Sequence, residues 1–145
     1  MNRLPTMNSD EVAKVRALES HLAQMPQVPI ATQHHFHAGV YARTIRIPAG
    51  VMLTGALIRI PTLLILSGHA TVFIGGEACE LAGYHVLPGQ AGRKQAFLAH
   101  TDTDLTMTFA TQAKTVEQAE EEFTAETNLL LSRRQATNSI YISGE

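Results

Sequence analysis

The sequence predicts a mainly β protein, an antiparallel β-barrel or jelly roll with an N-terminal and a C-terminal helix. Apolar residues recur at three- and four-residue steps near both ends of the chain, as in amphipathic helices. From Ala31 onward they recur at every second residue, in short runs separated by glycine or proline at regular intervals. Closing such short strands into a barrel removes the exposed sheet edges.

The first helix is predicted to begin near Asn8, Ser9 and Asp10, which can cap its N-terminus, and to end before Pro26. Its apolar positions are Val12, Val15, Leu18, Leu22 and Met25. A second helix is predicted from about Thr115 to Leu131, because Thr115 and Gln118 are spaced for a capping box. Both helices flank the segment with the two-residue period.

The strands are predicted between the two helices. They cover residues 34–37, 40–47, 51–54, 57–60, 63–67, 69–74, 77–81, 84–87, 93–100 and 104–111. The breaks after residues 67 and 81 rest on Ser67-Gly68 and Ala82-Gly83, which are typical of turns. After Ser132 the tail is polar except for Ile140-Tyr141-Ile142, which predicts a strand-sized hook for a neighbouring surface.

These elements are expected to form one domain, because 145 residues is an ordinary length for a single core. Residues 1–30 are assigned to the N-terminal helix and a proline-containing linker. Residues 31–111 are assigned to the barrel, and residues 112–145 to the C-terminal helix and tail.

The composition excludes several classes of partner. Charged residues make up 17% of the chain and the formal net charge is −2, which argues against general binding to nucleic acid or an anionic membrane. A surface so poor in charge favours a homo-oligomer. Cys79 is the only cysteine, so no disulfide framework or thiolate zinc cluster is expected. Without a membrane-length apolar run or a secretion signal, a cytoplasmic location is expected.

Several short phrases between Pro26 and Thr111 form a recognisable pattern. They are Pro26-Gln27, His34-His35-Phe36, Gly39-Val40-Tyr41-Ala42-Arg43, Ile47-Pro48-Ala49-Gly50, Leu53-Thr54-Gly55, Leu66-Ser67-Gly68 and Pro88-Gly89. In these phrases the chain resembles a family of small bacteriophage-encoded cupin-like proteins. The resemblance implies an RmlC-like cupin barrel, and it implies that this viral protein works in the host cytoplasm.

The same resemblance implies that the usual cupin metal site is missing. Metal-binding cupins carry two histidines and a glutamate between the glycines that here are Gly50 and Gly68, and another histidine on a later strand. Residues 56–62 contain no histidine or acid, and Phe109 occupies the expected late-strand position. An apolar side chain cannot bind a metal. We therefore expect no catalytic residues of the usual cupin kind and no cofactor.

The histidines leave one metal-dependent alternative open. His35 and His37 would project from the same face of a strand and, with His100, could hold a displaced metal ion. The chain would then be a metal-dependent cupin enzyme. Spacing identifies no further ligand, so partly solvated histidines on an edge strand are the favoured interpretation.

The basic residues give the candidate ligand site. Arg93 and Lys94 follow the glycine-containing loop 88–92, whose backbone N–H groups could help to hold an anion. Arg43 and Arg59 lie in otherwise apolar segments and could join them from a neighbouring strand or subunit. Arg93 is expected at an exposed loop edge, where its loss would leave the fold intact.

The leading hypothesis is therefore a non-catalytic cupin that binds a small anionic molecule. With the phage resemblance, the ligand could be a cyclic nucleotide, and the role an anti-defence one in which a host immune signalling nucleotide is sequestered. The metal-dependent enzyme is one alternative. A virion structural or assembly protein, in which the apolar tail serves subunit contacts, is the other.

Overall fold

A computed structural model describes residues 3–74, 77–135 and 138–143. Their helices are α1 (Ser9–Leu22), α2 (Val116–Phe123) and α3 (Leu131–Arg134), with a single 3-10 turn at Thr127–Leu129. The strands are β1 (Thr32–His37), β2 (Val40–Ile47), β3 (Met52–Thr54), β4 (Thr62–Ile74), β5 (Glu77–Gly89), β6 (Ala96–Ala99), β7 (Thr103–Ala110) and β8 (Asn138–Ile142). No helix within these ranges is long and apolar enough to cross a membrane.

The eight strands form one sheet in the order β3-β6-β4-β7-β2-β1-β8, and β5 pairs with β4. All the pairs are antiparallel except β1 with β8, which is parallel. The sheet curls into a partial barrel, so its concave face encloses the core. The predicted mainly β fold with a helix near each end is confirmed.

The predicted breaks within β4 and β5 are wrong, because these strands form one continuous hairpin of two 13-residue strands. Gly68 and Gly83, which motivated the breaks, lie opposite each other in its ladder. Both have positive φ, +145° and +91°, which glycine adopts without a steric penalty. The glycines therefore mark a distortion inside paired strands, and hydrogen bonding resumes on both sides of it.

At Gly68 the strand β4 also changes partner. Residues Leu63–Ser67 pair with β7, whereas Ala70–Phe73 pair with β6. The backbone of Thr103 approaches closely here, because a Cβ on Gly68 would lie 2.8 Å from its Cα and 2.5 Å from its Oγ1. The absent side chain therefore allows three strands to meet at one point.

Buried and exposed residues alternate along the strands, and the buried side chains fill the core. In β4, Leu66, Ala70 and Val72 are at most 1% exposed, and they face the inside of the curl. Phe123 of α2 packs against Phe109 of β7 with ring centroids 6.0 Å apart, so α2 extends the core. This burial follows directly from the two-residue apolar period of the sequence.

The N-terminal helix begins as predicted, whereas the C-terminal helix is shorter than predicted. Asn8 caps α1 and forms a capping box with Glu11. The second helix ends at Phe123, not near Leu131, because Thr124 adopts an extended conformation. The chain leaves the helix there and brings Glu126 inward, so tertiary contacts override the local helical pattern.

Two other segments differ from their predictions. Residues 57–60 form no strand, and Ile58 makes only an isolated bridge to Arg93. The Ile140–Ile142 segment is a strand, but β8 pairs with β1 of its own chain. The predicted hook is therefore part of this chain's own sheet, where its three side chains remain at least half exposed.

We predict that Gly68→Ala destabilises the fold more than Gly83→Ala does. Nothing lies within 4 Å of a Cβ on Gly83, so that variant should lose about 1 kcal/mol from its left-handed backbone alone. Gly68→Ala should lose about 2 kcal/mol more, because its new Cβ must displace the Thr103 backbone. Urea unfolding of the two variants and the wild type measures the difference. Equal losses would contradict the close approach.

Candidate functional site

The concave side of the sheet holds a cavity with an empty volume of about 800 Å³, a figure that includes its open mouth. We call it the barrel cavity. Strands β2, β3, β4, β6 and β7 supply one wall, and the segment after α2 supplies the other. Its lining is mostly apolar: Ile45, Leu53, Ala56, Ile58, Leu64, Phe97, Leu105, Met107, Phe123, Leu129, Leu130 and Leu131, with the polar residues Arg43, Thr54, Arg93 and Gln95 and the backbone of Gly55.

Arg43 lines this cavity, but its charge is neutralised. Its Nη1 lies 3.0 Å from Glu120 Oε2, its Nη2 donates to Ser132 Oγ at 2.9 Å, and its guanidinium carbon lies 5.5 Å from the ring centroid of Phe123. Burial would raise the pKa of the Glu120 carboxyl, but hydrogen bonds from Ser132 and Arg133 and the charge of Arg43 keep it below its ordinary value. Arg43 therefore joins β2 to the C-terminal segment.

Arg93 also lines the cavity, and the expectation that it lies at an exposed loop edge is wrong. It is 2% exposed and donates hydrogen bonds to the Gln90 carbonyl oxygen and to Thr62 Oγ1. Its Nε has no partner among the described residues. Burial lowers the pKa of Arg93 to about 10, which still leaves it charged at neutral pH. The bridge between Ile58 and Arg93 explains the burial, since it draws the chain against the barrel.

Gln95 was not singled out from the sequence, and the structure places it beside Arg93 on the cavity wall. It is 6% exposed, and its Nε2 lacks a hydrogen-bond partner within the described ranges. Its backbone oxygen accepts from Gly55 N–H at 2.8 Å, which fixes its position. Only its place directly after Arg93-Lys94 could have drawn attention to it in the sequence.

Lys94, the neighbour of Arg93 in the predicted ligand site, does not line the cavity. The side chain is fully buried, and Nζ lies 2.9 Å from Glu19 Oε2 and 3.0 Å from Glu126 Oε1. Two carboxylates from opposite ends of the chain thus surround one ammonium group. Lys94 lies between the isolated bridge at Arg93 and the start of β6, and its side chain points to Glu19 and Glu126, whereas Arg93 and Gln95 line the cavity.

Glu126 accepts hydrogen bonds from three separate parts of the chain. Besides Lys94, the Leu57 N–H donates to its Oε1 at 2.8 Å, and Arg16 of α1 pairs with its Oε2. Burial alone would raise the pKa of the Glu126 carboxyl, but these three donors lower it to about 2. The carboxylate is therefore a structural anchor between α1, the 55–58 loop and the C-terminal segment.

Arg59, the fourth predicted ligand residue, lies away from the barrel cavity. It is exposed, its Nη2 donates to the carbonyl oxygen of Glu121, and its Nε donates to that of Glu122 at 3.4 Å. These carbonyls belong to the last turn of α2, where a cation is favourable. The structure therefore brings Arg43 and Arg93 to one cavity and places Lys94 and Arg59 elsewhere.

The predicted histidine grouping is not present in the structure. His35 stacks on Tyr141 of β8 with ring centroids 4.7 Å apart, and His37 is exposed on the same strand. His100 follows β6, and the strands β4, β7 and β2 lie between β6 and β1. It lies instead with His69 and Glu80.

The positions at which other cupins carry metal ligands hold apolar residues here, and the structure places these residues in apolar surroundings. Ala56 and Ile58 line the barrel cavity. Phe109 is buried, and its ring packs against Tyr41 and Phe123. Buried His34 bonds to Tyr41 and Asn138 at 2.7 and 2.8 Å, and burial lowers its pKa.

No protein-family model matches the sequence, and no curated protein matches it. Several of the solved structures that are similar to this chain are described as cupin-superfamily proteins or cupin domains. A cupin superfamily protein from Desulfitobacterium hafniense is 15% identical, with a TM-score of 0.47 over 76% of this chain and 99% of that one. KdgF from a Halomonas species is 15% identical, with a TM-score of 0.49 over 62% and 87% of the two chains. A salicylate 1,2-dioxygenase from Pseudaminobacter salicylatoxidans is 16% identical, with a TM-score of 0.47 over 79% of this chain but 35% of that enzyme.

We predict that Lys94→Met lowers the free energy of unfolding by about 3 kcal/mol at pH 7, because it leaves Glu19 and Glu126 without their buried partner. The Glu126 pKa is depressed when folded, so its contribution is complete above about pH 5 and is lost as the pH falls toward 2. The difference between variant and wild type should therefore narrow from pH 6 to pH 3. Denaturant unfolding across this range measures it.

Lys114→Met is the matched control, because Lys114 is exposed and its loss should change stability little at any pH. A Lys94→Met protein as stable as the wild type at pH 7 would contradict a structural role for the buried ammonium group.

Proposed function

We propose that the chain binds a small organic anion with an apolar body in the barrel cavity and does not transform it. One observation carries the proposal: Arg93 and Gln95 both line an apolar cavity, and each has a buried N–H group without a partner among the described residues. Leaving a buried donor unpaired costs about 1–3 kcal/mol. Both groups are shielded from solvent, so an acceptor oxygen in the cavity would recover that cost once a small side-chain movement turned them toward it.

The charge of Arg93 favours an anion over a neutral acceptor. Both of its hydrogen bonds go to neutral oxygens, and no carboxylate in the described part of the chain is paired with it. Arg43, on the same cavity, already has Glu120 as its counter-ion. A buried cation without a counter-ion is costly, and an anionic ligand would supply one.

The cavity lining supports an apolar body for the proposed ligand. Leu53, Leu64, Phe97, Leu105 and Met107 offer apolar contact on several sides. Pockets of this kind bind mainly through apolar surface, and a few polar groups orient the ligand. The favoured chemistry is an aliphatic or aromatic body that ends in a carboxylate or a phosphate.

In a more specific form of this proposal, the bound anion is a cyclic nucleotide. The chain would then be a bacteriophage protein that acts against host defence in the host cytoplasm, and the sequence resemblance supports this form. Arg93 supplies the cation for a phosphate group in this version, whereas Lys94 is neutralised by its carboxylates.

The experiment is calorimetry with a panel of short aliphatic carboxylates, aromatic carboxylates, phosphate monoesters and cyclic di- and trinucleotides. Gln95→Leu should weaken binding of a genuine ligand by about tenfold, the equivalent of one charge-assisted hydrogen bond of about 1.5 kcal/mol. The same variant should melt at or above the wild-type temperature, because it removes an unpaired buried donor. If Gln95 had a purely structural role, Gln95→Leu would lower the melting temperature and leave ligand binding unchanged.

Gln112→Leu is the matched control, since Gln112 is exposed and lies outside the cavity lining. Mass spectrometry of gently purified protein reports any ligand that is retained. Binding undiminished by Gln95→Leu, or no binding across the whole panel, would overturn the proposal. Binding of carboxylates without nucleotides would remove only the nucleotide version.

We also propose that the chain is a homo-oligomer through a second copy at the outer edge of β8. Within the described residues β8 pairs only with β1, and Ile140, Tyr141 and Ile142 are 54%, 51% and 66% exposed. An apolar free edge of this kind is a template for strand pairing. Ile142→Lys should therefore reduce the mass measured by light scattering toward that of a monomer.

Val86→Lys on β5 is the control for this prediction. Val86 is 43% exposed on a different free edge, so its substitution should leave the assembly unchanged. A wild-type protein that is monomeric at micromolar concentration, or an assembly that Ile142→Lys does not affect, would contradict the proposed interface.

A further inference from the structure

We propose that His69, Glu80 and His100 form a binding site for a divalent transition-metal ion on the outer face of the sheet. One possible ligand atom from each residue lies within 4.8 Å of those of the other two. In β4, His69 and Thr71 alternate with Ala70 and Val72, which are buried in the core. The cluster therefore faces away from the barrel cavity, and none of its residues lines that cavity.

Strand register brings the three side chains together. Thr71 of β4 lies opposite Glu80 in β5 and opposite Leu98 in β6. Two residues after Leu98, just beyond the end of β6, His100 donates its backbone N–H to the carbonyl oxygen of His69 at 2.8 Å. Because side chains two residues apart share a face, both histidines and Glu80 project from the same side of three adjacent strands.

The distances among His69, Glu80 and His100 are close to those around a bound ion, so the three side chains would need to move only slightly to bind one. His69 Nε2 lies 2.7 Å from Glu80 Oε1, and the two imidazole rings are 4.7 Å apart. Ligands bound at about 2.0–2.2 Å to a tetrahedral ion lie roughly 3.4 Å from one another. Thr71 Oγ1, 2.6 Å from His100 Nε2, is the kind of oxygen partner that orients a metal-bound imidazole.

The backbone beneath His69 is firmly held. Thr103 is fully buried, and its hydroxyl lies 3.2 Å from both the N–H and the carbonyl oxygen of His69. The absent side chain of Gly68 allows this approach. A ligand on rigid strands loses little freedom when an ion binds, which favours affinity.

Two imidazoles and one carboxylate favour an ion such as Zn²⁺ over Ca²⁺ or Mg²⁺, which prefer oxygen ligands alone. The side chains of His69 and Glu80 are 36% and 64% exposed, so an ion could enter from solvent without opening the fold. A fourth position would remain for water. Bound metal would join β5 to β6 across β4 and so stabilise the hairpin.

The test is calorimetric titration of untagged protein with Zn²⁺, together with the visible absorption spectrum of the Co²⁺ form. One ion per chain is expected, and Zn²⁺ should raise the melting temperature. His69→Ala, Glu80→Gln and His100→Ala should each reduce affinity by more than about tenfold, since the loss of even an outer-shell partner costs about 10–100-fold. Without metal, the three variants should melt close to the wild type, because these side chains are largely on the surface.

His85→Ala is the matched control. His85 lies on the same hairpin, its Nε2 contacts the carbonyl oxygen of Ala82 at 2.8 Å, and it is not part of the cluster. Zinc binding should be unchanged in this variant and in Gln95→Leu, which separates the metal site from the anion site. Absence of zinc binding by the wild type, equal binding by the three ligand variants, or an equal loss in His85→Ala would overturn the proposal.

Discussion

The ammonium group of Lys94 is buried in the interior. The two terminal segments supply the carboxylates that neutralise its charge, and this fixes where they pack. Glu19 reaches Lys94 from α1, and Glu126 reaches it from the segment after α2. A buried charge without partners would be strongly destabilising, so the barrel, the first helix and the C-terminal segment are stable together. The cluster also includes Arg16 and the Leu57 N–H, which both bind Glu126.

This anchor also shapes the barrel cavity. For Glu126 to reach Lys94, the chain must leave α2 at Phe123 and cross the open side of the sheet. That path places Phe123, Leu129 and Leu130 on the wall opposite the strands. The ion-pair cluster outside the cavity thus positions one of its walls, and the apolar side chains of that wall and of the strands line it.

Two arginines on the same cavity differ through their surroundings. Arg43 is held by Glu120, Ser132 and the ring of Phe123, so its charge serves the contact between β2 and the C-terminal segment. Among the described residues Arg93 has only neutral partners, and its buried Nε–H group has none. The same residue type is therefore ion-paired in one place and, within the described part of the chain, without a counter-ion in the other. The cluster of His69, Glu80 and His100 lies on the opposite face of the sheet.

The sequence by itself determined the features that depend on neighbours along the chain. The start of α1 near Asn8, the span of β2 and the two-residue alternation of core positions follow from residue type and period, and they were predicted. Only the tertiary structure decided the continuity of β4 through Gly68, because a glycine that would end a strand in isolation is tolerated where long ladders pair on both sides. Strand register and the packing of distant segments likewise decided that Lys94 is buried and that His100 lies beside His69, since neither depends on local sequence.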